Sequence, residues 1–475
     1  MLKITSLKQE LKDAPIKYCR LVFTEDPQTW HRLVETTDDI LEYRMGVGKM
    51  DKIDARSFRT LVRSVVRVAK NHKIEHLAVS FKMFNFLTLE EYGEKWLAST
   101  LVENLLLADY EFTTYKSKPT TKKPLSEVLI CGQISAEAKS GLVRGQIVGE
   151  YVNKARDIAN TPSCDMMPTD LGHEAKELTK GTKLEVKVLG EKELKKLEMG
   201  ALLAVGQGTK SETKLIVAEY WGAGKTSGKK DKNTQSIVLI GKGITYDTGG
   251  LNVKPAGAMH DMHLDMSGGS SVLATIACAA KLGIKKNIVA LVPAAENSIS
   301  DDAMRAGDIV TSMSGQTIEV LHTDAEGRMV MADAYTYSER YKPQLVMDVA
   351  TLTGAALAAL GQHASAVLTK DKNLSDSLQK YGEISGDLVW PLPLWDEYKQ
   401  YLKSHRADVS NISTTFSRFG GTIEGGTFLS FFAPKDVPWA HIDIAPRMES
   451  IPSDKLAKGA TGEPVRLLVA FLENY

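Results

Sequence analysis

Cysteine is scarce in this chain: four in 475 residues, Cys19, Cys131, Cys164 and Cys278, far apart and without C-x-x-C spacing. Such spacing argues against a disulfide framework or a thiolate zinc site and fits reduced thiols in a cytosol. Net charge is absent too, with Lys plus Arg and Asp plus Glu at 59 each. A nucleic-acid or anionic-membrane binder normally carries a long-range positive field, so small molecules or proteins are the expected partners. No run of roughly 18 apolar residues occurs, and the opening MLKITSLKQELKDAPIKYC lacks the apolar stretch of about seven residues that a secretory signal needs. A soluble, cytoplasmic protein is expected, with neither membrane nor nucleic acid among its partners.

The length exceeds what one hydrophobic core usually holds, so two domains are expected. Residues 1–134 alternate strand and helix signals and read as a small α/β domain. Within it, 54–70 places Phe58, Leu61, Val62, Val65, Val66 and Ala69 on one helical face, and Arg56, Arg59, Arg63, Arg67 and Lys70 on the other. That basic stripe reads as a solvated face rather than a nucleic-acid surface. HLAVSFKMF at 76–84 reads as a strand, Thr88 and Glu91 as a capping box opening a helix through Leu107, and 128–132 as another strand. A long helix over 135–162 joins this domain to a second, 163–475. There, apolar runs at 214–220, 236–240, 287–294, 344–350 and 439–445 alternate with helical patterns such as SGGSSVLATIACAAKLG. The expected architecture is a mixed, largely parallel sheet covered by helices on both faces. The Lys-rich GKTSGKKDKNTQ at 224–235 reads as an exposed loop, and no internal repeat is found.

Chemistry gathers in two stretches. HTDAEGRM, 322–329, sets Asp324, Glu326 and Arg328 at alternate positions, which in an extended chain share one face. IGKGITYDTGGLNVKPAGAMHDMHLDMSGG, 240–269, follows a strand as a Gly-rich loop system and supplies Lys242, Asp247, Lys254 and Asp265. In open α/β sheets the carboxyl ends of strands are where ligands bind. Carboxylates converging there without cations would repel and protonate, whereas two divalent ions would neutralise Asp247, Asp265, Asp324 and Glu326. Hard oxygen ligands suit Mg²⁺, Mn²⁺ or Zn²⁺, and ions roughly 3.5 to 4 Å apart can share a nucleophilic water while polarising a carbonyl. Lys254 and Arg328 would remain as cations facing developing oxyanion charge.

HTDAEGRM is similar to the N-T-D-A-E-G-R-L signature of the leucyl aminopeptidase family, the two-metal cytosol aminopeptidases of peptidase family M17. GKGITYDTGG, DMSGG, MRAGDIVTSMSGQTIEVL, DVATLTGA, WPLPLWDEYKQYLKS, ADVSNIS, GGTIEGGTFLSFF, WAHIDIA and ATGEPVRLL follow in that family's order. The resemblance covers at least 145–470; the first domain resembles the family only in length and α/β character. It implies that Asp247 and Glu326 bridge two metals, that Lys242 and Asp265 complete the tighter site, and that Asp324, partly through its backbone carbonyl, completes the exchangeable one. Zn²⁺ or Mn²⁺ is expected, with Mg²⁺ a further candidate. A ligating Lys242 must be neutral, so its pKa must be depressed. The resemblance further implies that the substrate's α-amine binds one metal, that the scissile carbonyl meets the other and Lys254, and that a bicarbonate held by Arg328 is the base. Met262, Thr351, Gly354, Ala445 and Met448 would line the pocket for the first side chain, with Leu favoured because methionine adapts to apolar shapes. A homohexamer, a dimer of trimers acting on short peptides, is implied as well.

Three positions depart from the family pattern: His322 stands where Asn is usual, and Ala306 and Pro446 replace Pro and Gly. They bear on substrate preference, since every ligand position is intact. His260 and His263 have zinc-like i, i+3 spacing, but the resemblance assigns them no metal. GAGKT at 222–226 fails as a phosphate loop because Glu219 occupies the required glycine position, and Tyr246 breaks a G-x-G-x-x-G. The alternatives are a ring-forming binding protein that has lost turnover and a dinuclear phosphoesterase, whose usual histidine-rich ligation is missing here.

Overall fold

The computed structural model describes residues 2–118, 125–224, 235–415 and 419–475. It divides into two compact units, Met1–Asn153 with Ser450–Lys458, and Lys154–Glu449 with Gly459–Tyr475. The helix Ala136–Asn160 runs across the division.

In the first unit, strands β1 (Lys3–Leu7), β2 (Cys19–Thr24), β3 (His31–Glu35), β4 (Leu41–Gly46), β5 (His76–Ser80) and β6 (Glu127–Cys131) form one sheet. Their order is β1-β6-β5-β2-β4-β3, and only β3 and β4 pair antiparallel. The helix Ala55–Asn71 starts where Asp54 accepts the Ser57 backbone N–H at 2.8 Å, and it buries the apolar face that its spacing predicts. The opposite face corrects the sequence reading. Arg59 and Arg63 are buried rather than solvated, because the helix Gly93–Asp109 packs on this helix and gives it a second interior side. The Arg63 Nε donates to Asn104 Oδ1 at 2.7 Å, and the Arg59 guanidinium lies 5.5 Å from the Trp96 ring centre. Arg56 and Arg67 are the exposed arginines of the stripe. The expected capping box also fails: the helix begins at Gly93, and the Thr88 hydroxyl donates instead to the Ile53 carbonyl. Likewise the strand at 76–84 stops at Ser80, and Phe81–Phe84 forms a 3-10 turn.

Among its described residues the second unit holds twelve strands: β7 (Glu185–Leu189), β8 (Lys214–Trp221), β9 (Ser236–Gly241), β10 (Gly243–Asp247), β11 (Asn287–Asn297), β12 (Ile309–Thr311), β13 (Thr317–Glu319), β14 (Leu345–Ala350), β15 (Ser365–Leu368), β16 (Val389–Pro391), β17 (Val409–Ser410) and β18 (Trp439–Asp443). Nine of them build one sheet, ordered β16-β15-β18-β14-β9-β11-β8-β7, with β10 beside β11. At its centre β18, β14, β9, β11 and β10 are parallel, so their carboxyl ends open on one edge. Every residue of β9, β14 and β18 is buried, as expected for strands covered on both faces. The helix Ser267–Leu282 comes so close that a Cβ on Gly268 would lie 2.2 Å from the Val349 carbonyl oxygen. The Lys-rich stretch at 225–234 lies outside the described residues. Among the described residues no helix is long and apolar enough to cross a membrane.

Candidate metal centre

The parallel strands deliver residues of the site to the same edge. Lys242 follows β9, Asp247 ends β10, Thr351 follows β14 and Ala445 lies just past β18. Asp265 comes from the 3-10 turn Met262–Met266. HTDAEGRM is not extended, contrary to the sequence reading: the chain turns at 322–325 and enters the helix Glu326–Ser338 at Glu326. The alternation of charge was therefore the pattern of a turn running into a helix, and convergence comes from that helix's N-terminus. Its dipole favours the Glu326 carboxylate placed there.

These elements close around a cavity of about 760 Å³. Lys242, Asp247, Lys254, Asp265, Asp324, Glu326 and Arg328 all line it, and so do Met262, Thr351, Gly354, Ala445 and Met448. Ligand atoms of Asp247, Asp265 and Glu326, all buried, lie within 4.8 Å of one another. Lys242 Nζ sits 2.7 Å from Asp265 Oδ2 and 3.0 Å from Glu326 Oε1, and donates to the Thr351 carbonyl at 3.0 Å. Lys254 Nζ bridges Asp247 Oδ2 at 2.7 Å and Asp324 Oδ1 at 2.5 Å. Gly327 makes the first of these arrangements possible, since a Cβ there would be 2.4 Å from Lys242 Cε.

Four carboxylates thus face two lysines, and the imbalance shows in their acidity. Burial, added to by Asp247 and Glu326 and opposed by Lys242, pushes Asp265 up to about 8. Burial with Glu326 and Asp247 pushes Asp324 up to about 7. Asp247 is held low despite its burial, by Lys254, Lys242 and the Gly249 backbone N–H. Burial works against the charge of Lys242, yet Asp265, Glu326 and Asp247 hold its ammonium above the usual lysine range. With only protein charges around it, then, Lys242 is the opposite of a neutral ligand; ligation requires cations that take over those carboxylates and displace its proton. The buried Glu326 Oε2 has no hydrogen-bond partner. An orphaned carboxylate oxygen, surplus negative charge and an all-oxygen and amine donor set fit divalent cations.

Supporting residues hold the ligands in place. Asn297, at the end of β11, donates to Asp247 Oδ1 at 2.8 Å, and the Thr351 hydroxyl donates to Asp265 Oδ1 at 2.7 Å. The Thr323 hydroxyl donates to the Gly249 carbonyl at 2.6 Å. His322 also lines the cavity; its Nδ1 accepts the Asp324 backbone N–H at 3.2 Å. Asp443, fully buried, accepts from the backbone N–H groups of Leu352 and Ala445 at 3.1 Å each and from the Thr353 hydroxyl at 2.7 Å. It therefore ties together the two loops that carry Thr351 and Gly354 on one side and Ala445 and Met448 on the other. Pro446 occupies the first turn of the 3-10 helix Ala445–Arg447, where its fixed φ is accommodated, and Ala306 is exposed. His260 is 83% exposed and stands outside the carboxylate group. Asn297, Asp443 and Glu424 were not singled out from the sequence, although WAHIDIA and GGTIEGG carry the last two. Their partners lie about 50 to 100 residues away in the chain, so no local pattern exposes them.

A family model described as the cytosol aminopeptidase family, catalytic domain, matches residues 153–469. A second, described as the N-terminal domain of that family, matches 43–119, where the motifs offered only length and α/β character. A probable cytosol aminopeptidase of Nitrosococcus oceani is 42% identical over 436 residues, covering 90% of this chain and 83% of that protein. One from Saccharophagus degradans is 44% identical over 382 residues, covering 80% and 74%. Among solved structures, the bottromycin maturation enzyme BotP in complex with Mn matches with a TM-score of 0.84 at 28% identity, covering 100% of this chain and 99% of that one. The fold and the metal-ready cavity define a metal-dependent peptidase. The chain belongs to the cytosol aminopeptidase family.

Proposed function

We propose that this protein releases N-terminal amino acids, Leu and other apolar residues foremost, from short peptides. The reading is carried by the convergence of Asp247, Asp265, Asp324 and Glu326 on one cavity, where they pair with Lys242 and Lys254. Lys242, Asp247, Asp265, Asp324 and Glu326 would hold two divalent ions, Zn²⁺ or Mn²⁺ with Mg²⁺ a third candidate. Such ions supply Lewis acidity toward a carbonyl and a water nucleophile at neutral pH. A free α-amine can ligate them and an acylated one cannot, which makes the activity an exopeptidase's. Lys254 is the donor for the scissile carbonyl oxygen as negative charge develops on it, and Arg328 orients the proton acceptor. Met262, Thr351, Gly354, Ala445 and Met448 receive the first side chain, and the mobile thioethers suit a broad apolar preference.

The division of labour we propose gives residues 1–134 a role in assembly and access, 135–162 that of a connecting helix, and 163–475 the chemistry. Six copies in two trimers, in the cytoplasm, would confine substrates to short peptides; a monomeric mass in solution would contradict this assembly. The activity is tested with leucinamide or leucine p-nitroanilide under Mn²⁺, Zn²⁺ and Mg²⁺, beside N-acetyl-leucinamide and a phosphate ester. Hydrolysis of the free-amine substrates alone is expected. Absence of amine-dependent hydrolysis under every metal would favour a binding protein, and phosphate release a phosphoesterase.

A further inference from the structure

One carboxylate in the cavity has no part in the ion-binding set. Glu424 stands in the first turn of the helix Gly421–Ser430 and lines the same cavity as the carboxylate cluster. Its Oε1 lies 3.4 Å from Arg328 Nη1, and the two side chains are 11% and 7% exposed. The same Nη1 donates to the Asn411 carbonyl at 2.7 Å, whereas the buried Arg328 Nε has no partner. The guanidinium is therefore fixed from behind by Asn411 and faces a carboxylate that the chain itself supplies.

This bears on the bicarbonate that the family resemblance places on Arg328. A free oxyanion would find the unpartnered Nε–H, but it would also meet the Glu424 carboxylate on the same guanidinium. Like charges sharing a buried site are penalised. A tethered carboxylate also reacts without the entropy loss of capturing a second solute, which gives it the advantage over a dissolved ion.

We propose that Glu424 is the general base of this protein and that it replaces bicarbonate; the proposal rests on the aminopeptidase reading. As the attacking water's oxygen bonds to the scissile carbonyl carbon, Glu424 takes one proton from that water, while Arg328 holds the carboxylate in line. When the C–N bond breaks, Glu424 returns the proton to the leaving nitrogen. The products are a free amino acid and a peptide one residue shorter, and Glu424 is again a carboxylate. No oxidant, reductant or second solute is needed.

The test uses the full-length, metal-loaded protein with leucinamide in buffers stripped of carbon dioxide or supplemented with bicarbonate or formate. Wild-type turnover is expected to be the same in all three. Glu424→Ala and Glu424→Gln should retain metal content but lose about 10²-fold in turnover, the low end for removing a positioned base. Bicarbonate or formate should restore Glu424→Ala by about tenfold or more, as a small carboxylate fills the vacated place. A readout independent of turnover is the line width of ¹³C-bicarbonate, which should broaden with Glu424→Ala and not with wild type. The assignment is overturned by an active wild type that slows when bicarbonate is removed, by variants that keep wild-type turnover, or by a loss that neither anion relieves, since Glu424 would then only brace Arg328. A wild type that cleaves no free-amine substrate under any metal overturns the aminopeptidase reading itself.

Discussion

The two lysines of the cavity bridge carboxylates in the same way but occupy different corners. Lys242 is 3% exposed, with acceptors at Asp265, Glu326 and the Thr351 carbonyl, and its tail fills the space that the missing Cβ of Gly327 leaves. Lys254, 14% exposed, pairs with Asp247 and with Asp324, itself 26% exposed. One corner is sealed inside the fold and the other is partly open to solvent. A sealed amine is suited to stay with a bound ion through many turnovers. An accessible ammonium is suited to let go of its carboxylates and meet a carbonyl oxygen.

Asp247 belongs to both corners: its carboxylate pairs with Lys254 in the open one, and a ligand oxygen stands within 4.8 Å of those of Asp265 and Glu326 in the sealed one. Asp247→Asn should lose metal first, with elemental analysis showing depleted protein and hydrolysis falling below detection. Full metal occupancy with reduced turnover would show that Asp247 is not a shared ligand. Next in size is Lys254→Ala, where metal should stay bound while turnover drops on the order of 10² to 10³, the range for one oxyanion donor. Should metal content collapse instead, the open corner belongs to the ion site and the distinction drawn between the lysines is wrong.

The sealed corner is sharpened by Gly327→Ala. The new Cβ would lie 2.4 Å from Lys242 Cε and 2.7 Å from Nζ, and neither atom can retreat without breaking the contacts to Asp265 and Glu326. Overpacking of this kind costs about 1 to 3 kcal/mol, so a fall in melting temperature should accompany weaker metal binding. An unchanged metal titration would show that the lysine tail has slack. At the other side of the cavity, Met448→Ala should leave metal alone and lower the preference for Leu over Ala substrates about tenfold, measured as a ratio of kcat/KM values.

Much of this site was legible because its chemistry is concentrated in short, charged, Gly-rich stretches at strand ends, where few side-chain choices satisfy both backbone and ions. Lys242, Asp247 and Asp265 come from one thirty-residue stretch that composition alone marks out. The conformation of HTDAEGRM was not legible: alternating charges suit a strand face, and only its packing against the sheet shows that Glu326 begins a helix. Arg59 and Arg63 were misread for a related reason. A single amphipathic pattern reports one buried face, and the second is made by a helix some forty residues on. Glu424 is the sharpest case, since a lone carboxylate in a helix's first turn looks like ordinary dipole compensation until Arg328 is seen beside it.

The smallest expected effect concerns His322, which stands next to the open corner. Its Nδ1 accepts the Asp324 backbone N–H at 3.2 Å, and its own backbone is pinned by Asn411 on both sides, the N–H to Oδ1 at 3.3 Å and the carbonyl to Nδ2 at 2.7 Å. An asparagine in this place offers Oδ1 as the same acceptor and leaves both backbone contacts intact. His322→Asn should therefore keep metal content and leave leucinamide turnover within about threefold, less than the ~1 kcal/mol that one such hydrogen bond contributes. What remains different is the imidazole Nε2 and the ring's volume on the cavity wall, so any larger change should appear in the residue following the cleaved bond. A panel of Leu-X dipeptides reads this directly: a shift confined to X makes His322 a selector at the open corner, whereas a uniform loss across the panel would mean that the ring, and not its Nδ1, holds Asp324 in place.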